Sequence, residues 1–159
     1  MGPLNQLINS TKEGYLAVEG EICKLNNSEI REAIQALVAQ DQMEVAVAVS
    51  SAALILRPES EDILAISGLL AMCQSEWDTA VELLESLLEL QGDQAPPQTY
   101  LMLAKSLRCA FLVGSAMEMV KFGLKHHFND PDLTSEYKEL LRLNMAPESA
   151  GWVSSVGSA

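Results

Sequence analysis

The 159 residues are 48% hydrophobic and 5% aromatic, enough apolar material for one domain to bury a core without disulfide or metal staples. With 22 acidic against 10 basic side chains the formal net charge is −12, which works against charge-driven binding to nucleic acid or an anionic membrane and suits basic partner segments. Cys23, Cys73 and Cys109 are odd in number, widely spaced and lack a C-x-x-C pair, so reduced, mostly buried thiols in a cytoplasmic protein are expected rather than a disulfide framework.

Residues 1–26 read as an N-terminal helical segment with one or two helices inside 3–24, and they lack the basic and apolar regions of a signal peptide. Turn signals at "KLNNSE", "AQDQ", "RPES", "QSEW", "QGDQAPP", "VG" and "FNDPD" then cut the chain into helices near 28–40, 43–56, 61–74, 77–90, 97–111, 115–127 and 132–143. "VAVAVSSAALIL", residues 45–56, begins with strand-like alternation but continues to a helical length. It falls short of the roughly 20 residues that cross a bilayer, and Glu44 and Arg57 bracket it, so no membrane insertion is expected. Residues 145–159 are small and polar, a flexible tail whose Trp152 is its one candidate anchor.

Small residues recur in register. Ile34, Gly68 and Ala104, then Ala46, Ala80 and Ala116, then Pro58, Gly92 and Phe128 are spaced by 34 and then 36 residues, with the two extra residues placed in "GDQAPP". Tyr100, Leu103, Ala104 and Leu107, with Ala116 and Val120, stand at the spacing of a 34-residue helix-turn-helix unit, and so do Leu64, Ser67, Gly68 and Ala71 with Ala80 and Leu84, where Ser67 and Ala71 depart from the usual residue types. On these residues the sequence resembles the tetratricopeptide repeat (TPR) family. The resemblance implies an all-α, right-handed superhelix of about three units, 27–60, 61–96 and 97–131, flanked by the N-terminal segment and a capping helix at 132–144. It also implies that Gly68 and Ala80 meet where two helices cross, which accounts for a glycine inside a helix.

No catalytic, metal-binding or cofactor-binding constellation stands out. His126 and His127 point about 100° apart on a helix and make no i, i+4 metal pair, and P-loop, G-x-S-x-G and H-E-x-x-H patterns are lacking. No enzyme is expected. Nine acids and no bases lie between Pro58 and Ala104, with Glu82, Glu85 and Glu89 along one stripe; they form either a docking face for a basic partner or a solvated face.

In the resembled architecture the first helix of each unit lines the concave side. That register selects Arg31, Gln35 and Val38, then Ala65, Leu69 and Met72, then Leu101, Lys105 and Arg108 as a partner-binding groove, apolar at its centre and basic at both ends. Such a trough takes a protein or peptide partner, an amphipathic helix above all, unless the N-terminal helix or the Trp152 tail fills it. The layout of "LRPESEDILAISGLLAMCQSEWDTAVELLESLL", residues 56–88, is further similar to the small repeat proteins of bacterial type III secretion. That resemblance implies a cytoplasmic, non-catalytic chaperone or adaptor that sheathes an aggregation-prone helical client. The alternative is a homodimer or larger scaffold that self-associates through the same apolar surface.

Overall fold

The computed structural model describes residues 2–149, with side chains through Asn144; Trp152 and the rest of 150–159 lie outside the described residues. Among these residues the chain is helical throughout: α1 (Pro3–Glu13), α2 (Tyr15–Cys23), α3 (Asn27–Ala39), α4 (Met43–Leu56), α5 (Glu61–Cys73), α6 (Trp77–Gln91), a 3-10 turn (Gly92–Gln94), α7 (Pro97–Cys109), α8 (Val113–His126) and α9 (Pro131–Ser149). The "VAVAV" stretch is helix α4, as its length indicated. The chain divides into two compact units, Met1–Leu90 and Gln91–Ala159.

Local chemistry explains the starts of the helices. The Asn26 side chain accepts from the Glu29 N–H (2.8 Å) and donates to the Glu29 carboxylate (2.6 Å), a reciprocal cap that fixes the start of α3. Ser60 accepts from the Ile63 N–H at α5, and Asp130 from the Leu133 N–H at α9. Pro97 stands in the first turn of α7, where its missing N–H costs nothing.

The α3–α4, α5–α6 and α7–α8 turns share one geometry. Asp41, Ser75 and Phe111 adopt left-handed backbone, φ 60°, 59° and 65°. The following N–H groups of Gln42, Glu76 and Leu112 close onto the carbonyls of Leu37, Ala71 and Leu107 at 2.8, 2.9 and 2.9 Å. This is the six-residue C-terminal closure that satisfies helix-end carbonyls. Its positions repeat at 34 and 36 residues, the sequence period, and the 3-10 turn at 92–94 stands where the two extra residues were placed. The third turn was expected at Val113–Gly114. It falls at Ala110–Leu112 because Phe111 is the left-handed residue, and α8 therefore begins at Val113 rather than 115.

In unit 1 the core joins the N-terminal helices to the repeats: Leu7, Val18 and Ile22 are buried together with Ile30, Ile34, Ala46, Val49 and Ile63. Arg57 locks this arrangement from the end of α4, donating to the carbonyls of Ile22 (3.2 Å) and Leu25 (2.6 Å) and to Asn27 Oδ1 (2.7 Å). Ser67, a departure from the repeat pattern, is buried and hydrogen-bonded to the buried Ser50 hydroxyl of α4 at 2.7 Å. In unit 2, Gly123 of α8 lets Tyr100 and Leu133 approach; a Cβ there would lie 2.9 Å from Tyr100 Cβ and 3.2 Å from Leu133 Cδ1. His127 Nε2 lies 2.7 Å from the Ala95 carbonyl and His126 Nδ1 3.1 Å from that of Phe122, while both rings pack on Tyr100.

Gly68 makes the close approach that its place in a helix suggested, but the atoms nearest to it belong to Leu84, one turn beyond Ala80. A Cβ on Gly68 would stand 2.9 Å from Leu84 Cδ2 and 3.0 Å from Cγ. Leu84 is fully buried and has little room to retreat. Gly68→Leu is therefore expected to destabilise by about 1–3 kcal/mol in urea unfolding. Gly68→Ala should destabilise in the wild-type background yet stabilise, by up to about 1 kcal/mol of helix propensity, once Leu84→Ala has opened the space. Equal effects of Gly68→Ala in the two backgrounds would contradict the packing assigned here.

Candidate functional site

Of the nine groove residues read from the sequence, six lie in unit 1 on the facing helices α3 and α5. Gln35 is exposed, Val38, Ala65 and Met72 are half-buried, and Leu69 is 42% exposed, unusual for a leucine amid an apolar helix. Gln35, Val38 and Leu69 border one open pocket of about 140 Å³, completed by Ile66, Leu70 and Cys73. Its lining comes from α3 and α5 alone, so the N-terminal helices, which pack into the unit 1 core, leave it uncovered.

The periodicities of α3 and α5 create this hollow. On α5, Ile63, Ile66 and Leu70 follow the buried stripe, whereas Ala65, Leu69 and Met72 follow i, i+4, i+7 on the neighbouring stripe that the core does not reach. On α3, Ile30, Ile34 and Leu37 are buried, and Arg31, Gln35 and Val38 lie one residue later on each turn. Arg31 bridges the two helices, its Nη1 2.8 Å from Asp62 Oδ1. Both partners are 39% exposed, so the pair defines an edge of the surface more than it stabilises the fold.

The other three residues belong to unit 2 and have different surroundings. Leu101 is buried, at 7% exposure, and offers no open contact. Lys105 is half-buried. Arg108 is held by Glu136 of α9 at 2.6 Å, and Glu136 is nearly inaccessible. That hydrogen bond raises the Arg108 pKa from its ordinary value against the opposing effect of burial, so the guanidinium is a fixed cation committed to a buried carboxylate.

Ile66, Leu70 and Cys73 went unselected as groove residues. Ile66 and Leu70 belong to the buried stripe by periodicity, yet their edges form the pocket floor. Cys23 and Cys73 are exposed, against the expectation of mostly buried thiols, and Cys73 stands at the pocket lip because it follows Leu69 by one turn. Another hollow in unit 1, about 460 Å³ between α1 and α2, is bordered mainly by polar and charged side chains, among them Gln6, Asn9, Glu13, Glu21 and Lys24. Glu82, Glu85 and Glu89 are exposed along α6. No helix among the described residues is long and apolar enough to cross a membrane.

No protein-family model and no curated protein matches the chain. Solved structures do. The chain is similar to the Sgt2 TPR domain from Aspergillus fumigatus, with a TM-score of 0.67 at 14% identity over 78% of this chain and 83% of that one. It is also similar to YrrB, described as a TPR protein with an unusual peptide-binding site, with a TM-score of 0.61 at 16% identity over 76% of this chain and 61% of that one. At these identities the similarity shows the fold: an all-α, TPR-like helical repeat.

The two leucines that the sequence placed in one groove should part company on substitution. Leu69→Asp is expected to fold, with a loss in chemical unfolding of less than about 1 kcal/mol, because its carboxylate reaches water. Leu101→Asp should cost more than about 2 kcal/mol, because it buries a charge without a partner. Equal losses for the two variants would contradict the assigned exposures.

Proposed function

We propose that this chain is a non-catalytic protein-binding module that holds a helical, aggregation-prone segment of a partner in the α3–α5 groove. The observation that carries this reading is the open pocket in which the exposed Leu69 and half-buried Val38 stand over a floor formed by the edges of the buried Ile66 and Leu70, with no other described segment lining it. An exposed apolar hollow on a folded unit is the usual signature of a docking site. The pocket has room for one aliphatic or methionine side chain. The half-buried Ala65 and Met72 extend its apolar stripe over about two helical turns, a length matched to a helix that offers anchors at i, i+3 or i+4, and i+7.

A chaperone or adaptor needs no more chemistry than this. Burying the client's apolar stripe removes it from water and blocks its self-assembly, and a shallow, methionine-edged surface tolerates side chains of several shapes. The peptide-binding site named for YrrB gives a precedent on the same fold. The narrower form of the reading, a cytoplasmic chaperone for a type III secretion client, rests on the sequence layout of residues 56–88 alone. Self-association through the same groove is the competing use of this surface.

A photoreactive p-benzoylphenylalanine at the exposed Gln35 position distinguishes the two when illuminated in cells that produce the full chain. A chaperone or adaptor gives an adduct to a different protein, lost when Leu69→Asp is added. Adducts only at the mass of two copies of this chain would overturn the reading in favour of a self-associating scaffold.

A further inference from the structure

The negative charge is confined to one unit. Residues 1–90 carry 15 acidic and four basic side chains, net −11, whereas residues 91–159 carry seven and six, net −1. Three of the four bases in unit 1 are engaged: Lys24 with Glu21 at 3.0 Å, Arg31 with Asp62 at 2.8 Å, and Arg57 with Asn27 and two backbone carbonyls. The apolar α3–α5 pocket therefore lies on a strongly anionic body whose cations are largely committed to structure. The pocket lining itself is uncharged; along the chain Asp62, paired with Arg31, precedes the Ala65–Leu69–Met72 stripe and the exposed Glu76 follows it.

We infer that the segment held in this groove is a cationic amphipathic helix, with aliphatic anchors on one face and lysine or arginine on the flanks. This deepens the proposed function and rests on it. Charge complementarity selects the occupant. An anionic segment would be repelled by the net −11 unit, and a second copy of this chain would bring two such units together at the groove. A cationic helix places its anchors against Leu69 and Val38 while its flanking ammonium or guanidinium groups gain favourable potential at little desolvation cost. Charge then supplies encounter rate and discrimination, and the apolar pocket supplies position.

Fluorescence anisotropy of the full chain with two labelled helical peptides tests the inference. The peptides share a leucine stripe and differ in having all lysine or all glutamate on the polar face. The lysine peptide is expected to bind at least about tenfold more tightly at low salt. That advantage should shrink as salt rises from about 0.01 M to 0.1 M and the Debye length falls from about 30 Å to about 10 Å. Leu69→Asp should weaken the lysine peptide at least about tenfold although it adds a negative charge, and Cys73→Asp, at the exposed pocket lip, should act in the same direction. Equal binding of both peptides, lost in Leu69→Asp, would overturn the charge assignment and leave the groove function standing. Lysine-peptide binding unchanged or strengthened in both variants would place the contact elsewhere and overturn the inference. Failure of both peptides to bind would overturn the proposed function with it.

Discussion

The placement of side chains in the repeats depends on the three-residue turn that closes the α3–α4, α5–α6 and α7–α8 hairpins. One residue in left-handed backbone, at Asp41, Ser75 or Phe111, reverses the chain, and one 2.8–2.9 Å hydrogen bond from the second residue beyond the helix cap ties it off. The turn is short, so it admits only a narrow range of positions for the second helix. The 34- and 36-residue spacings follow from repeating it. Phe111 pays for this geometry most heavily: a bulky non-glycine residue adopts φ 65° while 91% exposed, and neither backbone preference nor burial compensates locally.

Once the turns are fixed, each α5 residue has a destination. The stripe through Ile63, Ile66 and Leu70 meets the core, Gly68 admits Leu84, and Ser67 reaches Ser50. The next stripe, Ala65, Leu69 and Met72, meets α3 only at its edge, and the pocket is the space that results. The Arg57 clamp and the burial of Leu7, Val18 and Ile22 commit the N-terminal helices to the core of unit 1. They are thus partners in the fold and do not line the α3–α5 pocket.

Much of this was legible in the sequence because it rests on local chemistry. Helix caps at Asn26 and Ser60, the proline at Pro97 and the 34-then-36 register are visible in residue types and spacings, and the helices they predict are found within a few residues, except that α9 runs on to Ser149, into the segment expected to be a flexible tail from residue 145. Three features were not legible, each for a physical reason. Left-handed turn residues are usually recognised as glycine, and here they are aspartate, serine and phenylalanine, so the third turn was placed at Gly114. Register names the residues that share a face but not how deeply each is covered. Leu101 stands at the repeat position of the half-buried Ala65 and is itself buried, while Leu69 is open. The pairing of Arg108 with Glu136 joins residues 28 apart through α9, a helix outside the repeat pattern, and so removed from the groove a cation that periodicity had assigned to it.

The central claim is that an apolar partner segment docks between α3 and α5. Methyl-resolved NMR of the full chain, titrated with the leucine–lysine helical peptide, tests it most directly. The account predicts that the methyl signals of Val38, Ile66, Leu69 and Leu70 shift together and saturate with one binding curve, while those of Leu4 and Leu25, on the α1–α3 side of the same unit, stay in place. Saturable shifts centred on Leu4 and Leu25, with Leu69 unmoved, would contradict it.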